Sequence, residues 1–379
     1  MDKANKGEWS EIYCILRILA ERKIYIADGS GKKHSEDCLN VLELMRKEAA
    51  ERVVRYHCSP LTTEVTITVN SYTETLPVST FLKLADTMLL EIKKGKGTFA
   101  LSESLQREIN ETGLQSVKAA SRDKNDVYLT ILDPRSGVTR KNIGFSIKSE
   151  LGRAPTLFNT GTNSALVYEL HGMTRELMED INSIFEVDSS GEKYVPVMTR
   201  FQALVNNGVK LTFVGFPIHK RHRIQVFREN LEILNPRLPL YFDTALRGIL
   251  SQKCPSRDIP TVTDYVSQIN PAQVQRPHEV YEYMIKAFLY ASYCGLTAGT
   301  LWNGKSNVNG GFIRVAADGE VLAFYALESD SFKQYLFDNS LIDFPATDKS
   351  HGNYAEVYEE NGKYYFRLNF QIRYSVKNT

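Results

Sequence analysis

Long apolar runs are missing from these 379 residues. No stretch is long enough to cross a bilayer, and Met1-Asp2-Lys3-Ala4-Asn5-Lys6 lacks the apolar core of a signal peptide, so a cytoplasmic protein without membrane attachment is expected. Cysteine is sparse: Cys14, Cys38, Cys58, Cys254 and Cys294 are scattered, with no C-x-x-C pair. That pattern excludes a disulfide frame and a zinc ribbon and fits reduced thiols. A dominant charge of one sign is absent too, because the formal net charge is +1. There is no phosphate-cradling glycine loop and no nucleophile motif, which leaves a metabolic enzyme without support. Internal repeats and low-complexity segments are also lacking.

What is present is ordinary globular composition, 42% hydrophobic and 24% charged. The length suits two domains, or one with large insertions. Asp188-Ser189-Ser190-Gly191-Glu192 is the best boundary, giving 1–188 and 189–379. Positive charge is clustered locally at Lys93-Lys94-Gly95-Lys96, Lys118 to Lys124, Arg140-Lys141 and His219-Lys220-Arg221-His222-Arg223. A near-neutral chain can bind a phosphate backbone if such clusters line one cleft, although solvated helix faces look the same.

Periodicity predicts helices over 7–22, 37–50, 81–92 and 103–112 and strands over 23–27 and 65–69 in the first half, then a strand over 165–170. The second half reads as helices at 197–206, 224–234, 240–252 and 279–293. Two hairpins follow, turning at Asp318-Gly319 and Asn361-Gly362, both type I′ dipeptides. Helices interleaved with strands predict a mixed α/β fold with a central mixed sheet flanked by helices.

One predicted hairpin carries the chemistry. Its arms are 126–132 and 143–149; Val127, Leu129 and Ile131 alternate with Asp126, Tyr128 and Thr130, while Phe145 and Ile147 alternate with Gly144, Ser146 and Lys148. Matching the apolar faces sets Asp126 against Lys148 and Tyr128 against Ser146. An acid facing an x-Lys triplet across a sheet is an arrangement that holds a divalent metal beside a phosphodiester. Magnesium needs one or two carboxylates plus other oxygens, here Asp126, the Ile147 carbonyl and Ser146. Lys148 would orient water or stabilise charge. The first helix opens with Gly7-Glu8-Trp9-Ser10-Glu11, where a G-x-x-x-E spacing offers Glu11 as a further carboxylate; the alternative is that Glu8 and Glu11 merely complement the helix dipole.

The string Lys6-Gly7-Glu8-Trp9-Ser10-Glu11-Ile12-Tyr13 resembles the start of HpaII-type restriction endonucleases. So do Gly144-Phe145-Ser146-Ile147-Lys148-Ser149-Glu150-Leu151-Gly152, Ala154-Pro155-Thr156-Leu157-Phe158-Asn159, and the ending Leu368-Asn369-Phe370-Gln371-Ile372-Arg373-Tyr374. The resemblance implies a PD-(D/E)xK nuclease fold, Mg2+ dependence and cleavage of double-stranded DNA at a short palindrome, CCGG in the nearest relatives. It also implies a restriction–modification role beside a cognate DNA methyltransferase. A palindromic target suits a homodimer, but monomers nicking each strand in turn remain open. Ser146 departs from the superfamily pattern, which has Asp or Glu there, so Glu11, or a water held by Ser146, must complete the ligand set.

Candidate DNA contacts are Ser149, Arg153, Asn159, Thr160 and Asn163 near the hairpin, and Lys118 and Lys124 for phosphates. His219–Arg223, Arg314, His351 and Arg373 are further candidates in the second half. Two readings compete with a restriction enzyme: a repair or junction nuclease on the same fold, and a DNA-binding protein with a vestigial nuclease site.

Overall fold

The structure is a computed structural model describing residues 3–48, 52–59, 61–117, 125–152, 156–159, 161–187, 191, 193–305, 310–325, 329–344 and 354–374, with backbone alone at 34–36. It divides into two compact units, 1–155 with 306–335 and 156–305 with 336–379. The chain therefore passes between units three times, whereas the sequence reading placed a single boundary near 188.

The first unit is built on a nine-stranded sheet. Its order is Lys23–Ala27, Val321–Tyr325, Gly311–Val315, Thr139–Ser149, Val127–Leu132, Lys33–Lys47, Val53–Cys58, Glu64–Val69 and Tyr72–Pro77. A further pairing of Lys23–Ala27 with Lys33–Lys47 closes six of these strands on one another. Gly311–Val315 runs parallel to Thr139–Ser149 and most other neighbours are antiparallel, so the sheet is mixed. Helix α1 (Lys6–Glu21) packs its apolar stripe, including Trp9, Ile12, Leu16 and Leu19, into the core. Its N-terminus is closed by a capping box: the Glu8 amide donates to Asn5 Oδ1 at 3.0 Å and the Asn5 amide to Glu8 Oε2 at 2.9 Å. Helices α2 (Val78–Lys94) and α3 (Glu103–Glu111) lie near their expected positions.

The helix expected over 37–50 is instead the 15-residue strand Lys33–Lys47. Its pairing with Val127–Leu132 shifts register between Val41 and Glu43. That irregularity breaks the two-residue alternation, so Leu39, Val41, Leu44 and Arg46 all reach the buried face at spacings that imitate a helix.

The hairpin arms are as expected, the second extended to Thr139–Ser149, but their register differs. Val127 pairs with Phe145 and Tyr128 with Gly144, two residues from the expected alignment, because the connecting loop is shorter than ten residues. Parity is unchanged, so each side chain keeps its predicted face. The Asn361-Gly362 turn has φ of +53° and +74°, as a type I′ turn requires. At Asp318-Gly319 only Gly319 is left-handed, with φ +105°, and its amide donates to the Ala316 carbonyl at 2.9 Å, a longer turn than expected.

The second unit holds helices α4 (Arg175–Asn182), α5 (Val197–Asn206), α6 (Val226–Leu234), α7 (Leu238–Leu250), α8 (Ile259–Ile269) and α9 (Pro277–Tyr293). A four-stranded sheet, ordered Lys210–Gly215, Leu166–His171, Lys363–Leu368 and Val357–Glu360, lies in the same unit. Its core is a cluster of phenylalanines in which Phe370 stacks on Phe158 at 5.5 Å and on Phe242 at 4.6 Å.

Candidate active site

Asp126 stands immediately before the first arm, and its amide donates to the Phe145 carbonyl at 2.9 Å. That anchors the backbone so that the carboxylate turns onto the neighbouring strand. Asp126 Oδ2 accepts the Ile147 amide at 2.6 Å and the Ser146 hydroxyl at 3.1 Å. These are charge-assisted bonds, and they fix the carboxylate more firmly than a surface acid would be. Asp126 therefore meets Ser146 and Ile147, with Lys148 the next residue on, instead of facing Lys148 directly. Because the Ile147 amide faces Asp126, the Ile147 carbonyl leaves the strand along the same edge.

Glu11 approaches from α1. Its side chain is 20% exposed, and its Oε2 lies 3.5 Å from Nη2 of Arg46. Burial is the main cause that pushes the Glu11 carboxyl up to about 8, and the negative charge of Asp126 adds to it; Arg46 and Lys148 pull the other way. Glu11, Asp126, Lys148 and Arg46 thus share one electrostatic neighbourhood. Of the two helix acids, Glu8 belongs to the capping box and Glu11 to this cluster. Glu11, Ile147 and Lys148 line an open cleft of about 780 Å3, together with Gly7 at the helix start and Gly152 beyond the second arm. Among the described residues Lys148 has no carboxylate within ion-pair distance.

Arg46 was not anticipated from sequence. It is fully buried, opposite Val54 in the sheet, and its Nη2 donates to the Val117 carbonyl at 2.6 Å. Among the described residues its Nε and Nη1 have no hydrogen-bond partner. A guanidinium so desolvated needs oxygen close by, and Glu11 is the acid beside it, neutral below about pH 8 and a countercharge above it. The sequence signal was a charged residue at an apolar position of a strand, hidden because the strand itself was read as a helix.

The donors fit a hard divalent cation. Two carboxylates, Asp126 and Glu11, and the Ile147 carbonyl offer only oxygen, and magnesium keeps water and substrate oxygens for its remaining positions. Among the described residues no group of three or more His, Cys, Asp or Glu is gathered as a zinc-type site would require. Ser146 donates its hydroxyl proton to Asp126, so it serves that carboxylate first.

Other expected contacts fall elsewhere. Ser149 lines the same cleft but is largely buried, with its hydroxyl 2.7 Å from Ser10 Oγ and accepting the Leu151 amide, so it ties the hairpin to α1. Arg314 is held by Glu150 in a two-pronged pair at 2.6 and 2.7 Å and donates to the Gly31 carbonyl, with Tyr335 on the same carboxylate. Its guanidinium is therefore committed within the first unit. Arg373 pairs with Asp343 at 2.9 Å. Asn159 is exposed and Asn163 half-buried, both in the second unit. Lys118, Lys124, Arg153, Thr160 and His351 lie outside the described residues.

The sequence that builds this oxygen-lined cleft with its lysine is matched over nearly its whole length among known proteins. The family model described as HpaII restriction endonuclease matches residues 5–374. The chain belongs to the HpaII restriction endonuclease family and is thereby a type II restriction endonuclease, a site-specific deoxyribonuclease. Among curated proteins it is similar to the type II restriction enzyme HpaII of Haemophilus parainfluenzae, 29% identical over 377 residues that cover 98% of each chain. No solved structure matches it. Among the described residues no helix is long and apolar enough to cross a membrane.

Proposed function

We propose that this enzyme makes Mg2+-dependent double-strand cuts in DNA at a short palindrome, CCGG, with the PD-(D/E)xK core lying in the first unit. The observation that carries the reading is the meeting of Asp126, Glu11 and the Ile147 carbonyl edge near Lys148, which has no carboxylate partner among the described residues, at an open cleft. Magnesium held by those oxygens would supply positive charge against the scissile phosphate. Ser146 and the Ile147 amide hold Asp126 in place, and Arg46 holds Glu11. Lys148 positions the attacking water or steadies a phosphate oxygen through its N–H groups. The second unit supplies target recognition, with Asn159 and Asn163 as base or phosphate contacts. The enzyme acts as a homodimer on its twofold site, and a cognate methyltransferase protects the host's own copies.

Digestion of a phage genome with magnesium tests this, comparing the wild type with Lys148→Ala. Discrete fragments ending at one palindrome from the wild type, and none from the variant, are expected. Cleavage confined to branched or damaged DNA would favour a repair nuclease. DNA binding without scission under every divalent ion would favour a vestigial site.

A further inference from the structure

The second unit carries a basic turn that the catalytic cleft does not use. His219-Lys220-Arg221-His222-Arg223 connects the strand Lys210–Gly215 to α6 and is its most concentrated run of cationic residues. Residues 220–224 are all exposed. Elsewhere in this unit several exposed arginines are paired, Arg175 with Glu179 at 3.3 Å, Arg228 with Glu232 at 2.9 Å and Arg276 with Glu279 at 2.8 Å, while Arg237 stands alone without a second cation beside it in the sequence. Lys220, Arg221 and Arg223 have no carboxylate partner among the described residues.

The turn is also shaped. The His219 amide donates to the Ile224 carbonyl and the Arg223 amide to the His219 carbonyl, each at 2.8 Å. Arg223 is held at φ +60°, a left-handed conformation uncommon for a long side chain. The His219 ring nitrogen Nδ1 accepts the amides of Arg221 and His222 at 3.2 Å, and the His222 ring lies 4.7 Å from that of His219. With Nδ1 so used and no metal-binding group of acids or thiols gathered there among the described residues, the histidines brace the backbone. Buried Phe216 and Phe227, 5.0 Å apart, anchor the two ends of the connection. A preformed turn loses less freedom on binding than a flexible basic tail.

We propose that this turn is a DNA-backbone contact of the second unit, with Lys220, Arg221 and Arg223 laid against phosphates. The inference rests on the reading that the second unit engages the substrate duplex. Cations without internal partners at one fixed tip suit a polyanion, and phosphate contact carries no sequence preference of its own.

The test is fluorescence anisotropy of full-length protein on a labelled duplex, without divalent metal, across a salt series. The Lys220→Ala/Arg221→Ala/Arg223→Ala variant is compared with wild type, on a CCGG duplex and on a scrambled one. Each lost phosphate contact lowers the slope of log K against log salt by about 0.9, so a fall of about 2 to 3 is expected. Affinity should drop by a similar factor on both duplexes, and the charge-preserving Lys220→Arg/Arg221→Lys/Arg223→Lys variant should retain the wild-type slope. A triple-alanine variant with wild-type affinity and slope overturns the contact while leaving the nuclease reading intact. A wild type that binds neither duplex overturns the DNA reading and this inference with it.

Discussion

Replacing Glu11 by glutamine should make the metal-free enzyme more stable at alkaline pH, although it removes a charge paired with a buried arginine. Folding lifts the Glu11 carboxyl from 4.5 to about 8, chiefly by burial and then by the charge of Asp126. Between those values the unfolded chain has released the proton while the folded chain keeps it. Stability from this group is therefore fully present below about 4.5 and is lost as pH rises through 8, at about 1.4 kcal/mol per pH unit. The full shift corresponds to about 5 kcal/mol, an upper value because water still reaches part of the side chain. Glutamine mimics the protonated acid and carries no such penalty. Urea unfolding with a chelator present, from pH 5 to 9, should show wild type and Glu11→Gln alike near pH 5. The variant should then gain several kcal/mol by pH 9. Parallel curves across that range would refute the reasoning, because they would mean Glu11 is neither desolvated nor beside Asp126.

Other perturbations separate structural from chemical roles. Arg314→Ala strands the Glu150 carboxylate inside the first unit and should cost about 3 to 5 kcal/mol in urea unfolding, the range for breaking a buried pair; a loss under 1 kcal/mol would contradict that burial. Arg46→Leu should keep the fold, since leucine suits the apolar face of its strand, but should lower the single-turnover cleavage rate more than DNA binding. Equal losses in both would argue against its link to Glu11. Lys148→Ala should leave duplex affinity without metal within a few-fold of wild type, while cleavage falls by at least about 100-fold, the lower range for removing one group that stabilises developing charge.

Much of the fold was legible where periodicities and turn dipeptides are clean. The alternating Val127, Leu129 and Ile131 located the first arm, and the Asn361-Gly362 dipeptide located a hairpin whose positive φ angles bear it out. Where register depended on loop geometry, sequence could not supply it, and Asp126 lies two residues from the partner expected for it. The irregularity between Val41 and Glu43 disguised a long strand as a helix and with it concealed Arg46. Ser149 and Arg314 looked like free polar groups because their partners, Ser10 and Glu150, are set by tertiary contacts that local pattern does not encode. The Glu11 reading depended on spacing alone, and only the fold distinguishes its surroundings from those of Glu8.

Titration calorimetry with magnesium and no DNA, at pH 7.5, addresses the shared ion itself. Wild type should bind with proton release, since Glu11 must give up a proton it otherwise retains. Asp126→Asn and Glu11→Gln should each abolish that event or weaken it at least tenfold. Two variants that take up magnesium as wild type does would contradict the site.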